Sequence, residues 1–249
     1  MRKPGFRYAA TAIAFVGLFL FSIGSARADH LIALYPFNGT LHDASGNGRT
    51  AHDSGTPTYV AGAPFGGKAI SFDGSGHAIV TAPLNISPAA LPQLTMGAWV
   101  YANSVATPQY GIISNDDGSF DRSLTIDSRP APKPVWSAFV GGSVVGKVPA
   151  ATDKWIFLAA SFDQSSGPSS GSYTFYVNDG STTTTLSGAD SFDSNSVTSG
   201  ATIGRNPNFD QPFNGMVADA FFYAGILTRE QIAKIIARGP SAIPGYKAR

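Results

Sequence analysis

Residues 34–48 read Leu34-Tyr35-Pro36-Phe37-Asn38-Gly39-Thr40-Leu41-His42-Asp43-Ala44-Ser45-Gly46-Asn47-Gly48. A run of aliphatic and aromatic residues stops at Asn38-Gly39. Four residues later a polar cluster begins in which Gly46 and Gly48 bracket Asn47. Gly and Asn adopt left-handed backbone conformations at low cost, so the pattern is that of a strand running into tight turns. A first strand that opens directly into a turn-rich loop predicts an all-β domain.

The rest of the chain repeats that rhythm. Strand-like runs fall at residues 30–37, 67–72, 77–81, 94–101, 110–114, 123–127, 135–140, 144–148, 155–163, 172–177, 182–186, 201–204 and 216–223. Gly, Asn, Asp and Ser separate them, as in a two-sheet sandwich or jelly roll. In the run 94–101, Met96, Ala98 and Val100 share one face, while Thr95, Gly97, Trp99 and Tyr101 share the other. One helix is predicted at 229–238, with Thr228 as N-cap, Gly239 just past its end, and an apolar stripe of Ile232, Ile235 and Ile236 to dock on the sandwich. Residues 240–249 read as a loose tail.

Residues 1–28 read as a secretory signal peptide. Arg2, Lys3 and Arg7 form a positive start, residues 9–23 are apolar, and Ala26-Arg27-Ala28 is an A-x-A cleavage site. Removing 28 of the 249 residues leaves 221, the length of one β-sandwich domain over 29–239 plus the tail. No later stretch reaches the ~20 apolar residues of a membrane helix. Export without a single cysteine suits a secreted or periplasmic bacterial protein of this size. The signal carries four of the basic residues, so the net charge moves from +1 to −3 on cleavage. No basic stripe remains to recognise nucleic acid or an anionic membrane, and a monomer is expected.

Five blocks in order resemble the LamG-like jelly-roll domain of the concanavalin A-like lectin/glucanase superfamily. They are the opening stretch; Ala69-Ile70-Ser71-Phe72-Asp73-Gly74; Leu94-Thr95-Met96-Gly97-Ala98-Trp99-Val100; the pair around Trp155 and Tyr173-Thr174-Phe175-Tyr176-Val177-Asn178-Asp179-Gly180; and Ile203-Gly204-Arg205 with Phe213-Asn214-Gly215 and Leu227-Thr228-Arg229-Glu230. The resemblance implies an antiparallel two-sheet jelly-roll sandwich with one short C-terminal helix. It also implies a structural Ca²⁺ where the first and last strands meet, with Asn38, Asp73 and Asp219 as its candidate ligands here. The chain departs from the family at two of these positions: Ala218-Asp219 stands where relatives usually carry Asp-Glu, and Asn38 replaces an Asp. Asp43 is expected to cap its own turn rather than bind metal.

Hydrolases of this fold draw two carboxylates from a Glu-x-Asp-x-x-Glu strand, placed about 5 Å apart for a retaining mechanism. This chain has one glutamate, Glu230, on the predicted helix, and its four histidines all lie in the first third. Binding is therefore the leading class, with carbohydrate or glycan as ligand. An envelope adhesion domain binding a cell-surface protein and a polysaccharide-active enzyme stand behind it. A pyranose needs an aromatic face and a few amide or carboxylate partners. Two loops supply such sets: Tyr110, Asp116, Asp117, Phe120, Asp121 and Arg122 in one, and Arg205, Asn206, Asn208 and Asp210 in the other. Trp136 lies on a strand expected to face the concave surface.

Overall fold

In the computed structural model, residues 29–76, 79–106, 109–116, 122–130, 132–167, 170–190, 200–207 and 211–247 are described. They form fifteen strands in two antiparallel sheets. The first sheet runs β13 (Thr183–Asp190), β12 (Gly171–Asn178), β11 (Trp155–Asp163), β6 (Gln93–Ala102), β15 (Asn214–Ala224), β4 (Lys68–Asp73) and β3 (Thr58–Ala61), with β1 (His30–Tyr35) also paired to β15. The second runs β10 (Ser143–Pro149), β9 (Val135–Val140), β8 (Ser123–Asp127), β7 (Gln109–Ser114), β14 (Ala201–Ile203), β5 (Ile79–Ala82) and β2 (His52–Ser54). This is a jelly-roll β-sandwich with one helix, α1 (Arg229–Arg238), among the described residues.

All thirteen predicted strands appear, with boundaries shifted by a few residues; positions 77 and 78 lie outside the described residues. The two unpredicted strands, β2 and β3, are short and largely exposed, so they carry little of the alternation that marks a strand.

Met96, Ala98 and Val100 of β6 face Leu124, Ile126, Trp136 and Ala138 of the second sheet in one continuous core. The other face of the first sheet is also covered. Trp99, Phe157 and Phe221 pack there with Ile232 and Ile235 of α1. Burial on both sides explains the nearly unbroken apolar run Ala218 to Ala224 apart from Asp219. Gly97 has no side chain because a Cβ there would meet the Phe221 ring at 2.7 Å. The chain end corrects the expectation of a loose tail: residues 240–242 form a 3-10 turn, and Ile243 is buried in this outer cluster.

The opening stretch protects the free edge of β1. The Leu34 amide donates to Asp43 Oδ1 at 3.1 Å, and the Asn47 side chain donates to the Leu31 and Ile32 carbonyls at 2.8 and 2.9 Å. The loop thus supplies hydrogen bonds that a neighbouring strand would otherwise make. Burial works against the Asp43 carboxylate, but hydrogen bonds from Ser45, Arg49 and Leu34 outweigh it and hold its pKa below the usual range. As predicted, Asp43 caps its own turn.

Strands β1 and β4 share one edge of β15. Strand β4 pairs with residues 214–217 and β1 with residues 220–224. Because β1 occupies the in-plane position, the tip of the β3–β4 hairpin leaves the sheet. Phe65 from that tip lies edge-on to Trp99 at 5.1 Å, and the Gly62 carbonyl accepts from Trp155 Nε1 at 3.0 Å.

Helix α1 seals part of the outer cluster and begins with a capping box: the Gln231 amide donates to Thr228 Oγ1, and the Thr228 amide donates to Gln231 Oε1. Thr228→Ala removes one of these bonds. It is expected to lower the unfolding free energy by about 1 kcal/mol in urea titration, with the transition slope unchanged.

Candidate functional site

In β8, Leu124 and Ile126 enter the core, so Ser123, Thr125 and Asp127 fall on the outer face of the second sheet. Neighbouring strands extend this polar face. Ser114 and Ser123 hydroxyls meet at 2.7 Å, and those of Thr125 and Ser137 at 2.8 Å. Thr202 donates to the Arg205 carbonyl at 2.6 Å. At one end Arg129 grips buried Asp127 through Nε and Nη2, the latter at 2.6 Å, while its own side chain remains half exposed.

The two predicted loops converge on this floor. Asn206 Nδ2 donates to Asp116 Oδ2 at 3.2 Å and to Gln211 Oε1 at 2.9 Å. Asp116 lies in the field of Arg129. Gly111 makes the approach possible, since a Cβ there would meet Asn206 Oδ1 at 2.6 Å. Asn115 and Asn206 are fully buried, yet Asn115 Nδ2 and Asn206 Oδ1 have no hydrogen-bond partner among the described residues. Buried amide groups left unpaired are costly, and such positions call for a water or an ion. Arg205 is half-buried and donates from Nη1 to the Gly76 carbonyl at 2.7 Å.

Three predicted ligand residues are corrected. Trp136 and Tyr110 point into the inter-sheet core and are 1% and 4% exposed. Each sits on the core-facing side of its strand, one pleat away from the polar floor. Arg122 is fully buried: Nη1 donates to the Ile86 and Leu91 carbonyls, Nη2 donates to that of Pro92, and the guanidinium lies over the Phe162 ring. Burial pulls its pKa down to about 9 while Asp163 opposes that shift, and the group stays charged as an internal clamp. Asp117, Phe120, Asp121, Asn208 and Asp210 lie outside the described residues. The sequence reading missed Asp127, Arg129 and the hydroxyl rows, although the alternation in Ser123-Leu124-Thr125-Ile126-Asp127 carries them.

The three candidate calcium ligands are not brought together. Asp73 pairs with Asn214 at the far end of β4, five residues from Asp219 along β15. The side chain of Asn38 is at the right corner, but its Oδ1 accepts from the Lys68 amide at 3.2 Å. Among the described residues no group of three acidic, His or Cys side chains is poised for a metal. Asp219 occupies a bulge with φ of 51°, where burial alone pushes its pKa up to about 7.

A Gly-x-Ser-x-Gly run at residues 167–171 lies in the connection between the paired strands β11 and β12. Residues 168 and 169 lie outside the described residues, but the run joins a strand to a strand, whereas the serine-hydrolase elbow joins a strand to a helix. Glu230 is exposed in the first turn of α1, where it complements the helix dipole. No helix among the described residues is long and apolar enough to cross a membrane.

The fold and this polar face define a lectin-like sandwich. The concanavalin A-like lectin/glucanases superfamily matches residues 72–233, more than half of the sequence, and the chain belongs to it. Compared by sequence with the curated proteins, the chain has no significant match. Among solved structures it is similar to domain 4 of AbnA, a GH43 extracellular arabinanase from Geobacillus stearothermophilus, in complex with arabinotriose. That similarity is 20% identity and a TM-score of 0.61, over 86% of this chain and 98% of that one. It is also similar to a botulinum neurotoxin type C structure described in terms of two ganglioside molecules, at 17% identity and 0.58 over 84% and 51%. An arabinofuranosidase in complex with arabinofuranosyl-alpha-1,2-xylobiose gives 12% identity and 0.56 over 81% and 50%. The chain spans about half the length of the latter two, and at these identities the likeness is one of fold.

Two measurements check this description. Arg122→Met removes the guanidinium from the Ile86, Leu91 and Pro92 carbonyls, of which Pro92 keeps the Gln164 amide, and is expected to cost about 3 kcal/mol in urea unfolding. Asp219 has a folded pKa raised above its unfolded value, so the folded state binds the extra proton between about pH 4 and 7. Stability therefore falls as pH rises through that window and stays reduced above it. Asp219→Asn, which tolerates the left-handed backbone, is expected to raise stability at pH 8 by on the order of 4 kcal/mol and to leave it unchanged near pH 4.

Proposed function

We propose that this protein is an exported, non-catalytic carbohydrate-binding module whose ligand sits on the outer face of the second sheet. The observation that carries the reading is the meeting of Asp116 and Asn206, ninety residues apart in sequence, with Asn115 Nδ2 and Asn206 Oδ1 left without partners among the described residues. A saccharide presents vicinal hydroxyls that donate and accept at once, and it suits a floor where a carboxylate, amides and hydroxyls alternate. Export is supported by the signal-like residues 1–28. The non-catalytic reading is supported by the single, helix-borne glutamate.

Membership of a lectin superfamily and fold likeness to structures solved with arabinose-containing saccharides favour the same ligand class. Adhesion to a protein partner has less support: Phe65 is the large hydrophobic side chain exposed among the described residues, and it packs on Trp99.

Calorimetric titration with arabinotriose and a panel of neutral oligosaccharides checks the reading. Binding is expected in the wild type, with at least a tenfold loss in Asn206→Ala, equivalent to about 1.4 kcal/mol, and retained thermal unfolding cooperativity. Binding that Asn206→Ala leaves unchanged, or release of reducing ends on incubation, would overturn it.

A further inference from the structure

The outer face of the first sheet holds a second set of residues with sugar-binding chemistry, on the opposite side of the molecule from the Asp116–Asn206 floor. Strand register places them in two adjacent ranks. In one, Ser71 pairs with Met216, Met216 with Tyr101, and Tyr101 with Trp155. All four are half-buried. In the next rank towards the strand ends, Asp73 pairs with Asn214, and Asn103 Nδ2 donates to Asn214 Oδ1 at 3.1 Å.

The aromatic rank is fixed in place. Trp155 is tied to the Gly62 carbonyl, and its ring meets that of Tyr101 at 5.7 Å and 65°. The hairpin tip covers Trp99 and reaches this rank only through the Gly62 carbonyl, and Tyr101 and Trp155 both remain partly exposed. The Asn103–Asn214 bond uses one donor and one acceptor. Whichever way the two amides are oriented, one further donor and one further acceptor stay available at the exposed edge.

We propose that this corner is a second saccharide subsite, which takes an uncharged sugar. The apolar face of the ring stacks on Trp155 and Tyr101, and a pair of neighbouring hydroxyls engages Asn103 and Asn214. Among the described residues these two ranks carry the Asp73 carboxylate and no cationic side chain, so the corner selects against uronic, sialic and phosphorylated sugars. A protein partner is a poorer occupant. A specific protein interface needs roughly 800 Å² per side with a buried apolar centre, whereas these residues form one aromatic corner beside an amide rank.

Trp155 is the half-exposed tryptophan; Trp99 and Trp136 are 4% and 1% exposed. Its indole therefore reports on this corner. Protein produced from the full chain is titrated with arabinotriose, xylotetraose, cellotetraose and galacturonate tetramer, while tryptophan emission, iodide quenching and the indole NMR signals are followed. The expected result is a saturable shift of the Trp155 signal and protection from iodide by a neutral sugar, with no response to the uronate. Affinity at this site falls at least tenfold in Asn103→Ala and in Trp155→Phe, and is unchanged in Asn206→Ala. Binding that survives Asn103→Ala and Trp155→Phe but is lost in Asn206→Ala overturns this subsite and leaves the second-sheet site standing. The reverse pattern overturns the second-sheet site. No response of Trp155 to any neutral sugar overturns the subsite regardless of binding elsewhere.

Discussion

The edge of β15 has to serve two strands, and much of the molecule follows from that. Antiparallel pairing with β4 ends at Val217 and pairing with β1 begins at Ala220. The two residues between, Ala218 and Asp219, take up the change of partner. The same place carries a register shift against β6 and the positive φ of Asp219. A bulge is the usual way to accommodate such a change, since it adds a residue without breaking the flanking ladders. The hairpin displaced from the plane then supplies Phe65 and Gly62 to the outer face. One constraint on pairing thus sets a buried carboxylate, a covered Trp99 and a tethered Trp155.

The two sheets solve different problems. The first is buried on both sides for much of its area, so its central strands lose their alternation and its outer face is sealed by α1, the hairpin tip and Ile243. The second alternates in β8 and β14, with apolar residues inward and Ser123, Thr125, Asp127 and Thr202 outward. Strand β7 bulges so that Ile112 and Ile113 both enter the core, and β9 turns Val135 and Phe139 outward beside Ser137. The outward hydroxyls are themselves buried and bonded to one another. In a low-dielectric setting a bonded polar network is rigid, whereas an unpaired member is costly. Asn115 and Asn206 stand out because most of their neighbours are satisfied.

Much of the fold was legible in the sequence because its signals are local. Asn38-Gly39 and Ser45-Gly46-Asn47-Gly48 end a strand wherever they occur, and Thr228 with Gln231 begins a helix by geometry alone. The short strands β2 and β3 escaped because their side chains are mostly exposed and need no periodicity. The candidate site was legible only in part. The Asp116 and Asn206 loops were found from composition, and the structure brings them together. Tyr110, Trp136 and Arg122 were misjudged because residue type does not reveal which side of a pleat faces the core. Arg122 shows this well: an arginine in a polar loop looks solvent-facing, yet three backbone carbonyls and an aromatic face outweigh the water it gives up. The calcium expectation rested on family position, and strand register sets Asp73 five residues along β15 from Asp219 while Asn38 bonds the Lys68 amide.

The placement of the two proposed sugar surfaces bears on how such a module would act. Packed sheets lie about 10 Å apart, and the surfaces face away from each other across both. A single short oligosaccharide cannot reach both, so neither site can strengthen the other on one ligand. Two separate polysaccharide strands can be held at once, one against each sheet, and a strand held at one face raises the local concentration of its neighbours at the other. On this reading the module gains retention on a polymeric, multi-chain surface and little on free sugars. Weak binding to short oligosaccharides would then accompany firm adsorption to an insoluble polymer. The half-exposed geometry of Trp155 suits that arrangement, since an open corner admits the side of a long chain where a closed pocket would accept only its end.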